Sequence, residues 1–231
     1  MTPQQLSFDL PAQVALGPDD FFVSTSNETA YVMVTDWQGW PAGKLALIGP
    51  KGSGKSHLAR VWQSLAGAQI LQASNLTAGP MPPAGAHLVI EDMDDLPAGA
   101  EEHLFHLHNH LAQTGGLLLL TGCQPPSRWH IALPDLASRM QGTAVIRLDD
   151  PDDRLLAALL MKLFADRQLA PPPDVITYLA ARIERSHRAA SQVVALLDAA
   201  ALRDKRDLTR AFVRAVLDKP SLDKSGAAPQ D

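Results

Sequence analysis

Cysteine is nearly missing from this 231-residue chain: Cys123 stands alone. One thiol cannot close an internal disulfide or build a zinc site from cysteine sulfur. A positive field is missing as well. The net charge is −5 with His neutral, which disfavours stable nucleic-acid binding through phosphate neutralisation as the main activity. No N-terminal stretch has the form of a signal peptide, and no apolar run reaches membrane-spanning length. The expectation is a soluble protein of a reducing compartment, most simply the cytoplasm. With 46% hydrophobic residues, the chain can form one α/β core and a smaller domain.

What is present centres on Gly49-Pro50-Lys51-Gly52-Ser53-Gly54-Lys55-Ser56, which fits the phosphate-loop pattern G-x-x-x-x-G-K-[ST]. An apolar run, Lys44 to Ile48, reads as the strand before it. His57 to Leu65 reads as the helix after it, with Leu58, Val61, Trp62 and Leu65 on one face. Glycines let the backbone curl until its N–H groups point at phosphate oxygens, and the new helix offers its positive end to the same anion. Lys55 would reach the β- and γ-phosphates, and the Ser56 hydroxyl would bind Mg²⁺. A glycine turn that binds nothing leaves the following Lys-Ser unexplained.

The rest of the chain reads in order around that loop. Gln5-Leu6-Ser7-Phe8-Asp9-Leu10 lies in a polar tail, residues 1–13. Either it folds back on its own domain, or Leu6, Phe8 and Leu10 fill a partner's pocket while Gln5 hydrogen-bonds. Ser26 or Asn27 would cap a helix carrying Ala30, Val34 and Trp37. Gln69 to Ala73 reads as a second strand, and residues 79–85, with three prolines and two glycines, as a loop. His87-Leu88-Val89-Ile90-Glu91-Asp92 has the form of a buried parallel strand that delivers two carboxylates to the sheet's C-terminal edge. There, behind a phosphate loop, Glu91 and Asp92 bind Mg²⁺ or orient an attacking water, where the plainer reading is an acidic turn.

Ala100 to Gln113 reads as a helix packed through Leu104, Leu107 and Leu111. His103, His106 and His110 share its other face, where a metal site is weighed against a solvated or half-buried face. Leu117 to Thr121 reads as a strand with Thr121 at its end, placed either to sense phosphate or simply to terminate the strand. Leu133 to Met140 precedes a fifth strand, Ala144 to Leu148. Beyond the acidic boundary Asp149 to Asp153 the pattern is helical. A stripe of Leu155, Leu156, Leu159, Leu160, Leu163 and Phe164 comes first. Three further helices follow, the first capped by Asp174, the next starting at Ser186 or His187, and the last capped by Asp207. Val175, Leu179 and Ile183 line the first of these. Val193, Val194, Leu196 and Leu197 line the next, and Ala211, Phe212, Ala215 and Val216 the last. The expected division is a tail, 1–13; an α/β nucleotide-binding domain with a five-stranded parallel sheet, 14–150; a helical lid, 151–219; and a second tail, 220–231.

A phosphate-loop α/β domain followed by a helical lid resembles the AAA+ ATPases, and most of all the DnaA/Hda family. The specific pieces are the tail Gln5 to Leu10, the segment Phe22-Val23-Ser24-Thr25-Ser26-Asn27, the phosphate loop, and Leu133-Pro134-Asp135-Leu136-Ala137-Ser138-Arg139. The resemblance implies that the tail, through Gln5, Leu6, Ser7, Phe8 and Leu10, binds the DNA polymerase sliding clamp. It implies that Val23, Asn27 and His57 join Gly49, Gly52, Ser53, Gly54, Lys55 and Ser56 around ADP or ATP. It makes Arg139 an arginine finger and Arg188 the sensor-2 arginine, with Thr121 the best candidate for sensor 1. Mg²⁺ falls to Ser56 and Glu91. Glu91 stands where the family more often has Asp, and the longer arm implies weak hydrolysis by this chain itself.

The implied function is regulatory: an adenine-nucleotide-bound protein that docks on the clamp and promotes hydrolysis of ATP held by DnaA, so limiting re-initiation of replication. The dozen or so residues after the fourth lid helix are too few for a helix-turn-helix domain, so sequence-specific DNA binding is not expected. No membrane partner is expected, and a homo-oligomer is left open. The competing reading is a stand-alone AAA+ ATPase, such as a helicase or transposase loader. A small-molecule kinase fits less well, since no second substrate site is evident.

Overall fold

The computed structural model describes residues 21–218. The tail residues Gln5, Leu6, Ser7, Phe8 and Leu10, and the segment 220–231, lie outside it. The chain divides at Asp150/Pro151 into two compact units.

The first unit is built on five strands: β1 (Lys44–Ile48), β2 (Gln69–Gln72), β3 (His87–Glu91), β4 (Leu117–Gly122) and β5 (Ala144–Arg147). Their order is β2-β3-β4-β1-β5, and every neighbouring pair is parallel. β1 lies inside the sheet and all five of its residues are buried, which is why it reads as a near-continuous apolar run. Four helices cover the sheet: α1 (Glu28–Thr35), α2 (Lys55–Ala66), α3 (Glu101–Thr114) and α4 (Pro134–Gln141). Side-chain alternation divides them between the two faces. Leu45 and Leu47 of β1 pack with α1 and α2 through Val34, Leu58 and Trp62. Ala46 packs with α3 and α4 through Leu104, Leu111, Leu136 and Met140.

The second unit holds α5 (Asp153–Ala165), α6 (Pro173–Ala180), α7 (His187–Asp204) and α8 (Arg210–Leu217) around Leu156, Phe164, Leu179, Val194 and Phe212. No helix among the described residues is long and apolar enough to cross a membrane.

Several local expectations need correction. Asp207 does not cap α8; Thr209 does, accepting the Phe212 N–H at 3.3 Å, while buried Leu208 and Val213 join the core beside it as a staple. Phe212 and Val213, rather than Ala211 and Ala215, are the buried positions of α8. Asp174 does not cap α6: Pro173 occupies its first position, where a missing N–H does no harm. Asp174 instead lies in the first turn, where its charge suits the helix dipole. Leu65 and Leu196 are exposed, because the buried stripe of α2 ends at Trp62 and that of α7 runs through Val193, Val194 and Leu197. Asn27 precedes α1 but makes no side-chain cap bond to it.

Candidate functional site

The loop between β1 and α2 curls because Gly52 and Gly54 take positive φ of 85° and 104°, a region open to glycine at little cost. Gly49 is glycine for a different reason. A Cβ there would press on the Leu148 carbonyl and lie 3.0 Å from Ser53 Oγ. The backbone is fixed on both sides, with Gly49 N–H donating to Gly122 O at 3.1 Å and Leu148 N–H to Ile48 O at 2.7 Å. Lys55, buried at the start of α2, donates to Gly49 O at 2.8 Å and Pro50 O at 2.9 Å. Its ammonium is thus held across the mouth of the loop. Ser53 Oγ is buried with no hydrogen-bond partner. An oriented cation and a hydroxyl with unused capacity, beside a helix N-terminus, are a donor set suited to a phosphate chain.

At the same sheet edge β3 ends in Glu91, 4% exposed. Gln72, its register partner on β2, donates to Glu91 Oε2 at 2.7 Å. Glu91 Oε1 is buried and has no partner. Burying a carboxylate oxygen without a hydrogen bond is costly, and a hard cation or its water is the kind of ligand that relieves it. The residues present therefore fit Mg²⁺. Gln72 escapes a sequence reading because it looks like an ordinary edge-strand polar residue.

Asp92 takes φ 57°, and its N–H donates to Thr121 Oγ1 at 3.1 Å. Partial desolvation and the Glu91 carboxylate raise the Asp92 carboxyl above its ordinary value, against the pull of Lys55. Thr121, fully buried, thus joins the ends of β3 and β4, with a hydroxyl proton still to donate. Asp94 shapes the turn after β4: one carboxylate oxygen accepts the Cys123 N–H, and the other the Gln124 N–H at 3.1 Å. In the sequence Asp94 reads only as one more residue of an acidic turn.

Phe21, just before the segment Phe22 to Asn27, packs on the helix that follows the phosphate loop. Phe21 meets the His57 ring edge-on at 5.2 Å and stacks on Tyr31 at 5.5 Å. Buried Asn27 ties the turn together, accepting the Ser24 N–H at 2.7 Å and donating to Phe22 O at 2.8 Å. Val23 packs against the same core. Val23, Asn27, His57 and the loop are therefore brought into one neighbourhood.

Arg139 is elsewhere. It lies in the last turn of α4 and is exposed, its guanidinium 4.9 Å from the centre of the Phe105 ring of α3. Its carbonyl accepts from Lys44 Nζ at 2.6 Å. Lys44 opens β1, whereas the phosphate loop follows its last residue, and the strand spans roughly 13 Å at about 3.3 Å per residue. α4 also covers the opposite sheet face from α2. Arg139 is therefore at the other end and the other face of β1 from this chain's own phosphate loop. A buried acid sets the entry to α4: Glu101 accepts the N–H groups of Ala132 at 3.0 Å and Leu133 at 2.6 Å.

Arg188 lies exposed in the first turn of α7, whose N-cap Ser186 accepts the Ala189 N–H at 3.1 Å. A cation there opposes the helix dipole unless an anion joins it. The histidine face of α3 gathers no ligand set, and no group of three or more metal-ligating side chains occurs among the described residues. His110 Nε2 bonds Pro82 O at 2.8 Å, and His108 turns into the core.

A five-stranded parallel sheet with a phosphate loop after its inner strand, followed by a helical lid, is an AAA+ fold. Domain III of DnaA from Thermotoga maritima superposes with a TM-score of 0.70 at 18% identity, over 85% of this chain and 93% of that one. AMPPCP-bound DnaA from Aquifex aeolicus gives 0.64 at 17% identity, over 84% and 68%. The FIGL-1 AAA domain in complex with ADP gives 0.61 at 15%, over 87% and 82%. Residues 152–217 match the family model described as Hda, lid domain. The family match lies within the second unit, and the likenesses to DnaA domain III and to the other structures show the fold.

Proposed function

We propose that this chain is a regulator of replication initiation that binds an adenine nucleotide in its own phosphate loop and contributes Arg139 to ATP held by DnaA. The observation that carries the reading is the placement of Arg139. It is exposed and carried on a helix end fixed by Lys44, on the far side of the sheet from its own loop. An arginine in that position suits a γ-phosphate bound by another molecule. Its planar guanidinium would stabilise charge that develops on the transferring phosphoryl group.

The chain's own nucleotide, ADP or ATP, would lie on the N–H groups after Gly49, with Lys55 on the β- and γ-phosphates and Val23, Asn27 and His57 nearby. The matched folds include proteins crystallised with AMPPCP and ADP. Mg²⁺ would be held by Ser56 and Glu91, and would supply neutralising charge on the phosphates. Glu91 and Asp92 would orient water there. Thr121 would report the γ-phosphate and Arg188 would add lid charge. The tail through Gln5, Leu6, Ser7, Phe8 and Leu10 would tether the protein to the sliding clamp in the cytoplasm, with no sequence-specific reading of DNA by this chain.

A like neighbour could receive Arg139 equally well, which would make a stand-alone ATPase that works as a homo-oligomer. One preparation separates the readings. Hydrolysis of DnaA-bound ATP is measured with clamp-loaded DNA, and this protein's own ATPase is measured without DnaA. Arg139→Ala should cut the DnaA-linked rate by about 10³-fold or more, the scale of in-trans fingers, while nucleotide binding persists. Full retention of the DnaA-linked rate refutes the regulatory reading, and loss confined to the chain's own concentration-dependent ATPase selects the alternative.

A further inference from the structure

Lys44 and His108 are buried titratable groups that the proposed chemistry does not use. Lys44 is 7% exposed, at the head of a strand that is otherwise Leu-Ala-Leu-Ile. It faces α3 and α4, as Ala46 does two residues on. Its ammonium reaches two acceptors: Arg139 O at 2.6 Å and His108 Nε2 at 3.3 Å. No salt bridge to a carboxylate is formed by it among the described residues. A lysine in a core without an acid is a poor choice for stability, so its donors point to another purpose.

That purpose is visible at the end of α4. The Arg139 carbonyl is one of the last carbonyls of the helix and has no partner within it. It accepts from Lys44 Nζ and from Thr143 Oγ1 at 3.3 Å. A cation at a helix C-terminus also suits the dipole. α3 holds the arrangement at two points three residues apart: His108 accepts from Lys44, and Phe105 carries the Arg139 guanidinium. Backbone and side chain of the same arginine are thus gripped by one helix, through a lysine on the one hand and an aromatic ring on the other.

We propose that Lys44, held by His108, is a positioning residue for Arg139: it fixes the last turn of α4 so that the guanidinium is presented to the partner's nucleotide in register. The inference rests on the finger reading of Arg139. The pair needs His108 neutral, with Nε2 as acceptor and its Nδ1–H toward Asn109 Oδ1, 3.5 Å away. Burial, the Lys44 ammonium and the Arg139 guanidinium all lower the His108 value, while Asn109 opposes them. Burial and Arg139 likewise lower that of Lys44. The charged groups acting on the pair are therefore all cations. As pH falls through the depressed His108 value, the imidazole charges, loses its acceptor and repels Lys44.

The test uses the full chain in the DnaA-bound ATP assay with clamp-loaded DNA, comparing wild type, Lys44→Met, His108→Gln and Arg139→Ala. Lys44→Met keeps the length and loses the donors. It should lower the stimulated turnover roughly tenfold to a hundredfold, the scale of a displacement of about 1 Å, with little change in the concentration giving half-maximal stimulation. Its melting temperature should hold or rise, because a buried unpaired charge is replaced by an apolar group and Thr143 still serves the Arg139 carbonyl. A merely structural lysine would instead lower melting and turnover together. His108→Gln retains an acceptor that does not titrate, so it should keep turnover and flatten the acid limb of the wild-type pH profile. Unchanged turnover in Lys44→Met, in a series where Arg139→Ala abolishes stimulation, overturns the inference. Should Lys44→Met fail to fold, an acid limb unaltered in His108→Gln overturns it instead. If Arg139→Ala itself retains stimulation, the finger reading fails, separately from the role of Lys44.

Discussion

Replacing Gly49 with Ala tests whether the phosphate loop is fixed by space rather than by backbone conformation. Gly49 is not among the residues with positive φ, so alanine meets no conformational penalty there. What it meets is the Leu148 carbonyl, well inside the 3.0 Å that real Cβ atoms keep. Neither strand end can retreat easily. Leu148 is 1% exposed, its N–H is bonded to Ile48 O, and Gly49 N–H is bonded to Gly122 O across the sheet. The obstacle is main chain, so no rotamer change relieves it. Overpacking of this kind costs about 1–3 kcal/mol, and the doubly anchored backbone argues for the upper end. At about 2–4 °C per kcal/mol for a chain of this size, the first unit should melt roughly 6–12 °C lower. Gly67→Ala is the control, since Gly67 has φ 67° with nothing within 4 Å of the added Cβ. It carries only the left-handed penalty of about 1–2 kcal/mol, so a smaller loss is expected. Differential scanning calorimetry on both variants, with and without ADP, gives the comparison. A Gly49→Ala melting point within about 2 °C of wild type, or a larger loss at Gly67, would refute the steric account.

Two further outcomes are expected. Lys55→Ala removes the cation held over the loop by Gly49 and Pro50 carbonyls, so calorimetric titration with ADP or ATP should show no binding; tight binding would contradict the assignment. Asp92→Asn should raise the melting temperature near neutral pH. A carboxyl whose folded value is raised is costly to ionise in the fold, a penalty present above that value and gone once pH falls below the unfolded value of about 3.9. Asn also tolerates the φ of 57°. The gain should vanish in acid, and an equal or lower melting point at neutral pH would show that the carboxylate is not strained there.

The strand and the loop of the phosphate-loop motif are legible in the sequence alone. Lys44 to Ile48 is legible as a strand because a doubly covered parallel strand must be apolar throughout, and the glycine spacing of residues 49–56 follows from local backbone curvature. The acids at the end of β3 are legible for the same reason, since polar residues can appear only where the strand leaves the core. Helix caps are less legible: Asp207 and Asp174 are good local candidates, but the docking of Leu208 and the φ fixed by Pro173 decide the true starts. The tertiary structure alone decided which side of the sheet each helix covers, and so that Arg139 faces away from its own loop. It alone joined Gln72 to Glu91, Asp94 to the turn after β4, Glu101 to the entry of α4, and Lys44 to His108 and Arg139. In each case the partners are separated by 19 to 95 residues. Contacts between groups so far apart in the chain are set by strand order and sheet face, and no local pattern of residues encodes them.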